Sequence, residues 1–213
     1  MNVLTDKFPT KINVNNKVLR INSDFRNCIK IIEAFEDDDL FDEEKYLILI
    51  RRLYIDEVKE EDLEQAIIKG IKFLDLGEEN ENNEENVKRL YSFSKDDSYI
   101  YTGIRQSHNI DLNSIEYLHW WNFVYLFLDI GQDCMFNQLV YYRKRKNEGK
   151  LTKDEKKVYI SMRKILDLDY EEEDEENEFM RQLNNSREVQ YGEKWWCCGN
   201  WNEIKHWQNR FWL

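Results

Sequence analysis

Proline is almost missing from this chain, which has one proline and seven glycines in 213 residues. That excludes collagen-like, proline-rich and glycine-rich linker classes. Four cysteines, with Cys197 and Cys198 adjacent, do not make a disulfide framework. Mean hydropathy is −0.80, and no apolar run approaches the ~20 residues of a membrane span. The segment Met1 to Lys7 has no basic end followed by an apolar stretch, so no secretory signal is expected. A reducing cytoplasm is the expected compartment, with no membrane contact. Histidine is scarce too, at three residues. No glycine-rich phosphate loop, GxSxG elbow or HExxH spacing occurs.

These absences set the chemical expectations. No catalytic residue, cofactor or metal is expected, and the chain does not read as an enzyme. Cys197, Cys198 and His206 supply zinc-compatible atoms. A structural zinc site needs four ligands, however, and adjacent cysteines chelate poorly. Carboxylates are plentiful, but acids in flexible runs cannot hold the fixed separation that acid–base catalysis requires.

What is abundant is acid, and it is concentrated. The net charge is −12. Nine acids and no base lie between Asp167 and Glu178, and five acids and no base between Gly77 and Asn86. The rest of the chain therefore stands at +2, which argues against a nucleic-acid mimic. Such runs repel themselves and read as solvated loops or linkers. The basic stretch Arg143 to Lys146, with the lysines that follow, reads as a solvated helical face rather than a phosphate-binding site. No nucleic-acid partner is expected.

The length suits one domain, or two small ones, with enough buried surface to need no disulfide or metal. Lys11 to Val14 and Lys17 to Ile21 mostly alternate apolar and polar residues around Asn15-Asn16, as in a β-hairpin. Ser23 or Asp24 can cap a helix carrying Phe25, Cys28, Ile29, Ile32 and Phe35. A second helix carries Tyr46, Leu49, Ile50 and Leu53, with Asp42, Glu43 and Glu44 in its first turn. A third carries Leu63, Ala66, Ile67, Gly70, Ile71 and Leu74, and Gly77 is its expected stop. These elements read as a compact N-terminal unit ending at the 77–86 run.

A second helical group starts near Asp96, with Tyr99, Ile100 and Ile104 on its first helix. Asn113 and Glu116 fit a capping box for a helix presenting Tyr117, Trp120, Trp121, Val124, Tyr125 and Leu128. Leu118, Phe123 and Phe127 make it apolar nearly all round, so it belongs in a core or an oligomer interface. A helix from Asp133 to about Lys146 follows. A capping box at Thr152 and Glu155 then opens a helix bearing Val158, Met162, Ile165 and Leu166.

The expected fold is therefore mainly α. It is a multi-helix bundle with a short N-terminal β-hairpin and a flexible acidic, Trp-rich C-terminal extension. The expected organisation is a helical body over 1–168, an acidic linker over 169–194 and a Trp-rich segment over 195–213. That last segment holds Trp195, Trp196, Trp201, Trp207 and Trp212. Tryptophans of this density suit a recognition segment that folds onto a partner, or one that folds back over the body's own apolar surface.

Two blocks carry a resemblance. The first, Val14 to Glu36, is a hairpin leading through Asp24-Phe25-Arg26 into an amphipathic helix. The second runs from Arg89 to Arg143. It contains Tyr91-Ser92-Phe93, Tyr99-Ile100-Tyr101, Ile110-Asp111-Leu112, Leu118-His119-Trp120-Trp121 with Phe123, and Tyr142-Arg143, in that order. Together they resemble the bacteriophage gene-product-fifteen family of siphophages and Gram-positive prophages. The resemblance covers most of the chain before the extension that follows Tyr170.

The resemblance implies a phage or prophage origin and a gene in the tail module, near the tape-measure gene, where tail assembly chaperones are usually encoded. The function it implies is a non-enzymatic chaperone in the host bacterial cytoplasm. Its partners would be the tape-measure protein and other tail proteins. The alternative is a structural tail or connector component of the virion. The residues expected to touch a partner are Trp120, Trp121, Tyr125, Trp195, Trp196, Trp201 and Trp207. Self-association is left open.

Overall fold

The computed structural model describes residues 2–77 and 88–168. The acidic linker over 169–194 and the Trp-rich segment over 195–213 lie outside the described residues, as do Cys197, Cys198 and His206.

The fold is mainly helical with a short N-terminal hairpin. Strands β1 (Lys11–Val14) and β2 (Lys17–Arg20) pair antiparallel, with Val14 opposite Lys17 and Lys11 opposite Arg20. Asn15 and Asn16 take φ values of 47° and 65°, the left-handed pair that a two-residue hairpin turn requires. One face of the hairpin, with Ile12, Val14 and Leu19, lies on the core. Arg20 faces outward, where its guanidinium and backbone N–H both bond Asp56.

Helix α1 (Phe25–Glu36) starts at Asp24, whose carboxylate accepts from the Arg26 N–H at 3.0 Å. Phe25, Cys28, Ile31, Ile32 and Phe35 are buried. Ile31 widens the expected stripe because α1 packs on two helices, α2 (Asp42–Leu53) and α5 (Trp120–Leu128). In α2 the first-turn acids are Asp42, Glu43 and Glu44, as the sequence indicates, and the Glu44 carboxylate accepts from the Phe41 N–H at 2.9 Å.

Helix α3 (Leu63–Leu74) follows a single 3₁₀ turn and packs on α2. Gly70 permits that approach, since a Cβ there would sit 2.8 Å from Leu49 Cδ2. The helix then stops through left-handed residues at Leu76 and Gly77, and the Gly77 N–H bonds the Lys72 carbonyl at 2.8 Å.

Helices α4 (Asp97–His108), α6 (Met135–Asn147), α7 (Lys153–Ser161) and α8 (Arg163–Leu166) complete the fold. The Thr152–Glu155 capping box opens α7 as expected. Between residue 88 and α4 the chain is irregular yet buries Leu90, Tyr91 and Phe93. A reciprocal pair of bonds, from the Ser92 N–H to the Asp96 carboxylate and from the Asp96 N–H to the Ser92 carbonyl, satisfies backbone there.

The N-terminal unit expected to end at the 77–86 run shares its core with the helices that follow, as the single body over 1–168 implies. One apolar cluster reaches from Val14 to Phe136, because Trp120 and Trp121 pack against the end of α3.

Two expectations need correction. Asn113 and Glu116 do not open a helix. The Asp111 carboxylate accepts from the Asn113 N–H at 3.0 Å and from the Tyr101 hydroxyl at 2.9 Å, which makes a turn. Farther on, Asp24 and His119 form an antiparallel bridge, so the chain is extended until Trp120. The Phe25 N–H bonds the Leu118 carbonyl and the Trp120 N–H bonds the Ser23 carbonyl. Tyr117, expected on the buried face, is therefore exposed, and Leu128, the last residue of α5, is exposed too.

The last expected helix is two pieces joined at Met162, and its inner side chains are Tyr159 and Leu166. Val158 and Ile165 are left about a third exposed, at 37% and 38%.

Candidate interaction surface

Trp120 and Trp121 are not surface anchors. Both are buried, at 0% and 4% exposure. Their indole N–H groups donate to the Leu74 and Phe73 carbonyls, each at 2.8 Å. Tyr125 is half-buried, with its ring beside Phe8. Trp120 and Trp121 lie in the central helix, as expected, but face inward. A helix that is apolar nearly all round is consumed by its own core.

His119 caps α5. Its Nδ1 accepts from the Trp121 N–H at 3.1 Å, and its Nε2 lies 3.0 Å from the Pro9 carbonyl. That pairing puts the proton on Nε2. Burial pushes its pKa below the usual histidine value, against the Pro9 bond, which raises it. The ring packs against Phe8 and Phe73.

Two buried polar arrangements were not apparent from the sequence. Arg143 is 3% exposed and meets Asp96, 1% exposed, in a two-bond pair of 2.6 and 2.9 Å. Its other N–H groups donate to the Leu90, Ile165 and Leu166 carbonyls. Arg143 therefore ties α6 to α8 and to the buried segment before α4, and it is not part of a solvated face. A signal was present: Phe136, Leu139 and Arg143 share helical spacing, which places the guanidinium on the apolar side.

The second arrangement is at Glu36, the last residue of α1. Its carboxylate accepts from Ser92 Oγ at 2.9 Å and lies 3.9 Å from Arg89 Nη1. Burial pushes its pKa up to about 7 despite both neighbours.

The outer layer of α6, α7 and α8 is basic. Nine bases and three acids lie between Lys144 and Leu166. On α7, Lys153, Lys156, Lys157 and Ile160 recur at helical spacing, and all four are exposed. Ile160 is 72% exposed. At the edge of this layer Asp167 accepts from Lys146, Tyr159 and Arg163. Burial pushes its carboxyl up, but these bonds outweigh that and hold it below the usual range.

No group of three or more His, Cys, Asp or Glu residues that could hold a metal occurs among the described residues. No helix among them is long and apolar enough to cross a membrane.

The family model described as Bacteriophage Gp15 protein matches residues 4–168. This chain belongs to the bacteriophage Gp15 family. No curated protein and no solved structure matches it. The match ends two residues beyond α8. The Gp15 unit thus takes in the hairpin, the eight helices of the described residues and the basic layer. Trp195, Trp196, Trp201 and Trp207 lie beyond the family match and outside the described residues.

Proposed function

We propose that this Gp15-family protein is a non-enzymatic tail assembly chaperone. It binds the tape-measure protein in the host bacterial cytoplasm while the tail tube assembles. The observation that carries this reading is the family match over residues 4–168. The tail-module position implied by the family resemblance supports it.

With Trp120 and Trp121 closed inside the core, the contact falls to two other places. One is the outward stripe of α7, where Ile160 stands among Lys153, Lys156 and Lys157. Such a stripe suits an amphipathic helix with acidic flanks, and tape-measure proteins are long and helical. The other is the segment holding Trp195, Trp196, Trp201 and Trp207, whose side chains suit anchoring in a partner's apolar pockets.

Co-expression with the tape-measure protein tests this. The full chain is expected to copurify with it and keep it soluble. Ile160→Asp, or alanine at the four tryptophans, is expected to weaken that. Unchanged solubility and copurification in both variants would overturn the proposed contacts. Finding the protein as a component of purified virions by mass spectrometry would favour the structural alternative.

A further inference from the structure

The segment from Lys144 to Leu166, which takes in the end of α6 with α7 and α8, carries a net charge of +6. Some of its bases are already engaged: Arg145 with Glu155, Lys150 with Glu148, and Lys157 with Asp154. Lys144, Lys153 and Lys156 have no carboxylate within ion-pair distance among the described residues. All three are exposed.

Leu168, the last described residue, stands directly ahead of the most acidic stretch of the chain. Eight further acids and no base lie between Asp169 and Glu178. The first acid of the run, Asp167, is already seated on the layer through Lys146, Arg163 and Tyr159.

We propose that the acidic run from Asp167 to Glu178 docks on the basic outer face of α6 and α7 of its own chain, with Asp167 as the fixed end of that contact. Reach allows it. Ten residues extended span up to ~33 Å, whereas the nine residues of α7 cover only ~14 Å. Charge balance favours it: the +6 segment is followed at once by a run of −9.

An attached segment also acts at high effective concentration, so it outcompetes free polyanions of similar charge. The run then works as an intrachain competitor. An acidic partner reaches Lys153 and Lys156 only by displacing it. This inference does not depend on the tape-measure reading, since it concerns only what the chain does to its own surface.

The test uses heparin as the probe and full-length protein throughout. One variant carries glutamine at Glu171, Glu172, Glu173, Glu175 and Glu176. A matched control carries glutamine at Glu78, Glu79, Glu81, Glu84 and Glu85, the same change of charge at the other acidic run. At about 0.1 M NaCl the first variant is expected to bind heparin at least ~10-fold more tightly than the parent, with the control within about twofold of it. Carbodiimide coupling of the parent chain is expected to join Lys144, Lys153 or Lys156 to carboxylates between Glu171 and Glu178, and to lose those links at high salt.

Equal gains in the two variants would reduce the effect to net charge and overturn the proposal. So would a parent chain that binds heparin as tightly as the first variant. Links formed only between isotopically labelled and unlabelled copies would overturn the intrachain assignment.

Discussion

Trp121 donates its indole N–H to the Phe73 carbonyl at 2.8 Å, from the start of α5 to the end of α3. Its neighbour Trp120 does the same for Leu74. A helix leaves its last four carbonyls without intrahelical partners. In α3 these belong to Ile71, Lys72, Phe73 and Leu74. The Asp75 and Gly77 N–H groups take the first two, and the two indoles take the others. The tryptophan pair closes a helix end that would otherwise be buried with acceptors unsatisfied.

Trp121→Phe keeps most of the apolar volume and removes one donor. It is expected to destabilise the fold by about 1–3 kcal/mol, the cost of a buried acceptor left unpaired. Urea unfolding followed by circular dichroism reads it. No loss of stability would mean that the Phe73 carbonyl finds another donor.

Arg143→Met is expected to cost about 3–5 kcal/mol, because it leaves the Asp96 carboxylate buried without its guanidinium. The double variant with Asp96→Asn is expected to recover part of that loss. A double-mutant cycle with no coupling between the two positions would remove the pair from its role in joining α6 to α4.

Glu36 gives the fold a pH dependence. Its folded pKa, about 7, lies above the ordinary value of 4.5. The folded state therefore holds the proton more tightly. The stability from protonated Glu36 is complete below about pH 4.5 and lost as pH rises through about 7. Glu36→Gln keeps an acceptor for Ser92 and removes the buried charge. Relative to the parent it is expected to gain on the order of 2–3 kcal/mol at about pH 8 and little at about pH 4. A stability difference that does not change with pH would show that Glu36 does not titrate in this window.

His119 has the opposite sign. Its folded pKa is lowered by burial, so the neutral ring contributes stability above the ordinary histidine value, lost as pH falls through the folded one. His119→Phe preserves ring packing on Phe8 and Phe73 but cannot accept from the Trp121 N–H. It is expected to cost about 1–2 kcal/mol at neutral pH, as for loss of a helix cap. Proton-detected titration of the imidazole should show the depressed value, and an ordinary one would contradict the burial.

Local signals were legible wherever one segment decides its own conformation. The Asn15-Asn16 turn, the Asp24 cap, the acids opening α2, the Gly77 stop and the Thr152–Glu155 box all stand as read. Each rests on hydrogen bonds among residues within a few positions of one another. The same logic failed at Asn113 and Glu116. There Asp111 claims the Asn113 N–H, and backbone bonds that join Leu118 to Phe25 and Trp120 to Ser23, distant in sequence, hold the chain extended up to His119.

The amino-acid sequence by itself determined the helical class, the hairpin, the concentration of acid in two runs and the family to which the chain belongs. Only the tertiary structure decided which apolar and charged side chains are inside. Trp120 and Trp121 became core, and Arg143 left its basic neighbours to meet Asp96. Helical spacing specifies a face of a helix. What covers that face is set by segments far along the chain, and burial then selects side chains whose donors and acceptors can all be paired.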